Sequence, residues 1–291
     1  MSILALACAF CMILSLSVTG TGSATAATIP YFKPLPNPPF PIGIPDSAEP
    51  SGEAPPDSST INGYTLNYVN DFTGTSLPVG WYKFSGQPGG DPGARFEPSH
   101  VVVGGGMLSL LTYRDTSWDN RWATGGVCHC GLAHTYGAYF VRSRVSAPGP
   151  NEVELLWPNQ DIWPPEIDFD ETGGLTSELS ASLHFGATNH LNQIFLGINM
   201  TRWHTWGVIW SPTSIIYTVD GQEWGSMSVV SEIPNIPMTL DMEQRTKCSV
   251  NKQCPAHPVS MQVDWVAEYT PNTPDTGNVA PSLVGAKRTA S

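Results

Sequence analysis

Charge is scarce in this chain, and positive charge most of all. Only 13% of its 291 residues are charged, with 13 Lys and Arg against 25 Asp and Glu and a formal net charge of −12. So few cations make a poor surface for nucleic acid or for anionic lipid, which excludes both as partners; a neutral polymer fits better. A long apolar run is missing too. The N-terminal one, residues 3–18, falls short of the ~20 residues that a comfortable membrane span needs. No Lys or Arg precedes it, which marks either a misplaced start codon or inefficient export. Followed by Ala24-Thr25-Ala26, it reads as a secretory signal peptide over 1–26, and the mature protein as secreted. Cysteine is rare: Cys8 and Cys11 lie inside that segment, and four remain, an even number suited to an oxidising compartment. There is no internal repeat and no long amphipathic helical pattern.

What the chain does have is punctuation. Proline (27) and glycine (28) separate many short apolar runs, which favours turns and strands over helices. Residues 27–60 hold ten prolines and few large apolar side chains after Phe40. This stretch reads as an extended, disordered spacer, because it lacks the apolar surface to offset its ordering entropy. One domain follows over 61–270, and the small polar tail at 271–291 reads as disordered. Within the domain, strands are expected at 101–103 and 107–112 as a hairpin, and at 122–127, 136–145, 151–157, 178–185, 203–210, 215–219, 238–244 and 261–269. In the last of these Met261, Val263, Trp265, Ala267 and Tyr269 share one face by strict alternation. Asp220-Gly221 is a two-residue hairpin turn signal. The pattern is all-β, a sandwich of two antiparallel sheets.

Chemistry concentrates at Glu166-Ile167-Asp168-Phe169-Asp170-Glu171, four carboxylates in six residues. Glu166 and Asp168 share one face of a pleated strand. Strict alternation adds Asp170 to that face and turns Glu171 into the core. A one-residue bulge reverses this, sidelining Asp170 and bringing Glu171 out roughly 13 Å along the backbone from Glu166. Inward-leaning side chains then close to the ~5 Å between carboxyls that a retaining glycosidase uses. A solvated acidic strand or a Ca²⁺ cluster is the plainer alternative, but no EF-hand spacing is present. Like charges so close together raise at least one pKa, as a general acid requires.

This motif resembles the Glu-x-Asp-x-x-Glu signature of glycoside hydrolase family 16 in its bulged, laminarinase-like form. Further resemblance lies in order along 61–270: Asp71-Phe72-Thr73-Gly74 with Trp81, Thr135-Tyr136-Gly137 with Val141-Arg142, Leu156-Trp157-Pro158, Trp203-His204-Thr205, Val219-Asp220-Gly221 and Val263-Asp264-Trp265-Val266. The resemblance implies a concanavalin A-like jelly roll and a retaining endo-β-glucanase acting on β-1,3 or mixed β-1,3-1,4 glucan. Galactan cleavage, or a non-catalytic carbohydrate-binding protein of the same fold, is the alternative. It makes Glu166 the nucleophile, Glu171 the acid then base, and Asp168 the residue that polarises the nucleophile. Asp170 departs from the apolar residue usual at its place. Substrate contacts are expected from Trp163, in a proline-stiffened loop, and from Trp157, His184, Gln244 and Arg142. The loops 87–92 and 128–134 are expected to rim the cleft.

No cofactor is required on this reading, and the protein is expected to be a monomer with polysaccharide as its partner. The resemblance allows a structural Ca²⁺ away from the cleft, with Asp264 as a candidate ligand. Cys128, Cys130, Cys248 and Cys254 are read as disulfides rather than a zinc site, given export. Cys248 with Cys254 is the first choice. Cys128 with Cys130 would then be strained or free, and cross-pairing stays open.

Overall fold

The computed structural model describes residues 28–57 and 60–272; the expected signal peptide and residues 273–291 of the expected tail lie outside the described residues. Two antiparallel sheets face each other. The first has seven strands in the order His190–Gly197, Glu178–Phe185, Glu166–Glu171, Asn151–Pro158, Met238–Arg245, Gly126–Cys128 and Tyr82–Lys83. The second, of ten strands, centres on Gly137–Val145 and Val259–Pro271, flanked by His204–Trp210 on one side and by Tyr64–Asn70 and Met107–Asp115 on the other. Helix is confined, among the described residues, to three-residue 3-10 turns. The expected jelly-roll sandwich is therefore the observed fold.

Alternation builds the core between the sheets. Ile167, Phe169, Leu156, Leu240 and Met242 of the first sheet meet Tyr139, Val141, Trp206 and Val208 of the second, all essentially inaccessible to solvent. Burying each such aliphatic or phenyl side chain contributes roughly 1.5–3 kcal/mol. Most expected strands are present within a few residues. Asp220-Gly221 makes the expected turn, both residues with positive φ (45° and 74°) and Val219 paired to Gln222. The His190–Gly197 strand was not expected. It lies at a sheet edge with Leu191 and Phe195 exposed, so its alternation is blurred.

Two further expectations are corrected. Strict alternation in the last long strand fails because its pairing with Gly137–Val145 skips a residue at Asp264, between Arg142↔Trp265 and Ser143↔Val263. Met261, Val263 and Val266 therefore face the inner core, whereas Trp265, Ala267 and Tyr269 join an apolar cluster on the sheet's outer face. That outer cluster needs a cover, and the proline-rich stretch supplies part of it. Residues 28–57 are packed on the domain rather than free: Phe32 is buried in the main core, and Phe40 packs on the outer cluster. Phe32 and Phe40 donate backbone hydrogen bonds to the carbonyls of Gly197 and Gly221. A short hairpin, Ile44–Pro45 with Glu53–Ala54, lets the Glu53 carbonyl accept from Trp265 Nε1 at 2.9 Å. Few but well-spaced apolar anchors suffice, because the prolines reduce the entropy that ordering removes.

Phe32→Ala tests this packing. It should lower stability by about 3 kcal/mol in chemical denaturation, whereas a free spacer would leave the midpoint unchanged.

Candidate active site

A cleft of about 670 Å³ lies over the seven-stranded sheet. The register explains how it is furnished. Asp168 pairs with Leu155 and Ser182, and Glu171 with Val153 and Ser180. On one neighbour a single residue, Ala181, spans the gap filled by Phe169 and Asp170, so the Glu166–Glu171 strand is bulged there. Phe169 and Asp170 both become fully buried, while Glu166, Asp168 and Glu171 all line the cleft. The bulged register is the one the motif spacing implied.

Each carboxylate has its own environment. Trp163 Nε1 donates to Glu166 Oε2 at 2.6 Å. Glu171 Oε1 accepts from Asn151 Nδ2 at 2.9 Å, and Asn151 Oδ1 accepts in turn from the Gly173 amide at 2.6 Å, which fixes the amide's orientation. Ser180 Oγ lies 3.3 Å from Glu171 Oε2. Asp168 is 4% exposed, with His184 Nε2 3.7 Å away, within range of charge attraction but too far for a hydrogen bond. His184 Nδ1 is turned to Asn189 Oδ1 at 2.8 Å.

Burial raises the pKa of Glu166, opposed by the Arg245 and His184 charges and by the Trp163 hydrogen bond. Asp168 is raised well above the usual carboxylate range, by burial first and then by the negative charges of Glu166 and Glu171. Burial and a carboxylate on either side thus favour the neutral form of the central aspartate. Arg245 is held by Glu243 and by the Gly89 carbonyl, and Lys247 lies 3.3 Å from Asp91. Both cations of this wall face carboxylates.

Trp157, Trp163 and His184 line the cleft as expected, and Trp163 is 44% exposed, its ring available at the surface. Trp206, Trp210 and Trp265 are core residues. Gln244 and Arg142 are corrections. Gln244 has the inward parity of Leu240 and Met242, is 1% exposed, and meets Thr112 Oγ1 at 2.8 Å. Arg142 belongs to the other sheet, where it donates to Ser51 Oγ and Thr205 Oγ1 on the side away from the cleft.

Sequence reasoning missed Asn151, Asp241, Glu243 and Arg245. The signal was present: the alternation that sends Leu240 and Met242 inward sends Asp241, Glu243 and Arg245 to the cleft. The loop at 87–91 rims the cleft, but 128–134 does not. His129 is instead buried against Glu268, Trp81 and Tyr68. Cys128 is bonded to Cys130 and Cys248 to Cys254, so no thiolate is left there for zinc.

Solved structures share this architecture. The laminarinase from Rhodothermus marinus superposes with a TM-score of 0.62 at 20% identity, over 72% of this chain and 98% of that one. The catalytic domain of an endo-1,3-beta-glucanase (laminarinase) from Thermotoga petrophila RKU-1 gives 0.61 at 15% identity, over 72% and 99%. A structure described under endo-acting O-glycanases of the human gut microbiota gives 0.61 at 18%, over 75% and 94%. No curated protein matches the chain in sequence. The profile of Glycosyl hydrolases family 16 matches residues 98–267, more than half of the sequence, and the chain belongs to that family.

Proposed function

We propose that the protein is a secreted, retaining endo-β-glycosidase that cuts β-1,3 or mixed β-1,3-1,4 glucan as a monomer, without a cofactor. The observation that carries this reading is the bulge at Phe169, through which Glu166 and Glu171 enter one cleft on either side of Asp168. Glu166 attacks the anomeric carbon; Glu171 protonates the leaving oxygen and later takes a proton from the incoming water. Asp168, protonated between them, lets Glu166 ionise without a second adjacent charge and steadies it as charge leaves for the sugar. Trp163 and Trp157 offer faces for sugar rings at the cleft. Both cations of the cleft wall already face carboxylates, which disfavours a sulfated chain. The laminarinase structures named above agree with the glucan preference.

A structural Ca²⁺ is an optional addition to this reading. Beneath the Ser51 turn, Asp264 Oδ2 accepts from the Ser51 amide at 3.1 Å while Oδ1 is buried without a partner. Asp71 presses on Asp264, and Asp264 and Asp71 both press on Glu49, by like charge. The Arg142 cation offsets part of this negative charge at Asp264, and an ion held here would supply no step of the chemistry.

The purified protein should degrade β-1,3-glucan or mixed-linkage β-glucan faster than agarose, carrageenan or mucin-type glycans. Glu166→Gln and Glu171→Gln should each lower turnover by at least about 10²-fold while glucan binding persists. Preferred hydrolysis of carrageenan, or near-normal turnover by either variant, would overturn the reading.

Trp163→Phe keeps an aromatic ring and removes the hydrogen bond to Glu166. That bond stabilises the ionised carboxylate, so its loss raises the Glu166 pKa further and keeps the nucleophile protonated to higher pH. The acidic limb of the kcat/KM profile should therefore move to higher pH; an unmoved or lowered limb would contradict the assignment.

A further inference from the structure

Behind the catalytic strand, the interior of the sandwich holds a second group of carboxylates that the proposed chemistry does not use. Glu152 and Glu154 leave the Asn151–Pro158 strand on its inward face, opposite to Asn151 and Val153, and are 1% and 0% exposed. Independently, the bulge turns Asp170 inward from the next strand, fully buried and with both oxygens lacking any hydrogen-bond partner. Both oxygens of Glu152 and Oε2 of Glu154 are equally unpartnered. The sixth oxygen, Glu154 Oε1, accepts from Ser143 Oγ at 2.6 Å, and Ser143 Oγ accepts from Trp206 Nε1 at 3.0 Å. One oxygen from each of the three residues lies within 4.8 Å of the others.

Unpartnered carboxylate oxygens in a packed interior are costly, and among the groups acting electrostatically on these three none is positively charged. A cation bonding oxygen at ~2.3–2.6 Å keeps any two of its ligands no more than about 5.2 Å apart, a limit that these oxygens meet. Two carboxylates binding through both oxygens and a third through one would use all five free oxygens, close to the ~6–8 that calcium takes. Magnesium, with bonds of about 2.0–2.1 Å and a retained water shell, suits a cage of carboxylate oxygens from the protein alone less well.

We propose that Glu152, Glu154 and Asp170 form an interior site for a divalent, oxygen-preferring cation of the calcium type, held between the sheets behind the catalytic strand. It is separate from the Asp264 position beneath the Ser51 turn. Its ion ties the Asn151–Pro158 and Glu166–Glu171 strands together where the bulge interrupts their pairing, and so backs the segment that carries Glu171. The inference stands apart from the choice of glycan.

The test uses the whole purified protein and its Asp264→Asn variant, which removes the other acidic position from consideration. Both are treated with chelator, dialysed and titrated with calcium chloride alone, with bound calcium read by elemental analysis and unfolding by calorimetry. Asp264→Asn protein should retain about one calcium per chain, and its Tm should fall on chelation and recover with calcium. Glu152→Gln and Asp170→Asn, each made in that background, should lose both the ion and the calcium response. An Asp264→Asn protein that binds no calcium at millimolar concentration would overturn the proposal, whether or not the interior variants fold. So would an ion that survives Asp170→Asn and Glu152→Gln, or interior variants that are more stable than their parent without any ion dependence; in those cases shared protons hold the cluster.

Discussion

One extra residue in one strand governs most of what is distinctive here. Side chains alternate with a period of two, so inserting Phe169 exchanges the two faces for everything after it. Glu171 is delivered to the cleft beside Asp168, and Asp170 is sent into the core together with Phe169. The same step therefore completes an acidic triad that lines the cleft and creates a second one inside the sandwich. In a regular strand Asp170 would take the outward place, with a side chain one methylene shorter, and Glu171 would be an uncompensated charge among Ile167 and Phe169.

Electrostatics then divides labour among groups of one kind. Asp168 has carboxylates on both sides and little solvent, so its neutral form is favoured. Glu166 is pulled both ways, by burial toward the neutral form and by Arg245, His184 and the Trp163 indole toward the ionised one. Glu171 is held from the side by Asn151, whose own acceptor is committed to the turn after the strand. All three carboxylates rest on one strand, which antiparallel neighbours fix on both sides.

How much of this could be read in the sequence follows from what kind of information each feature needs. The acidic triad is local, and side-chain reach together with its resemblance to the bulged family signature favours the bulge. Strand positions were legible wherever turn residues and alternation were sharp, as around Asp220-Gly221, and illegible at the edge strand from His190 to Gly197. For Gln244 the resemblance points to the cleft, whereas the parity it shares with Leu240 and Met242 points inward, as observed. Arg142 sits on a strand whose sheet membership is a long-range property that no local pattern carries. The proline-rich stretch looked too poor in apolar residues to order. Its anchors are rewarded by long-range packing: Phe32 enters the main core, and Phe40 covers the outer face on which the skipped residue at Asp264 leaves Trp265, Ala267 and Tyr269.

The central claim is that Glu166 and Glu171, brought together across Asp168 by the bulge, work as nucleophile and acid/base in a double displacement. The stereochemistry of the first product tests it most directly. Proton NMR of a β-1,3-linked gluco-oligosaccharide during early hydrolysis should show the new reducing end appearing as the β-anomer, with the α-anomer growing in only through mutarotation. Initial release of the α-anomer would mean single displacement by water, and would contradict both the nucleophile assignment and the carboxyl geometry attributed to the bulge.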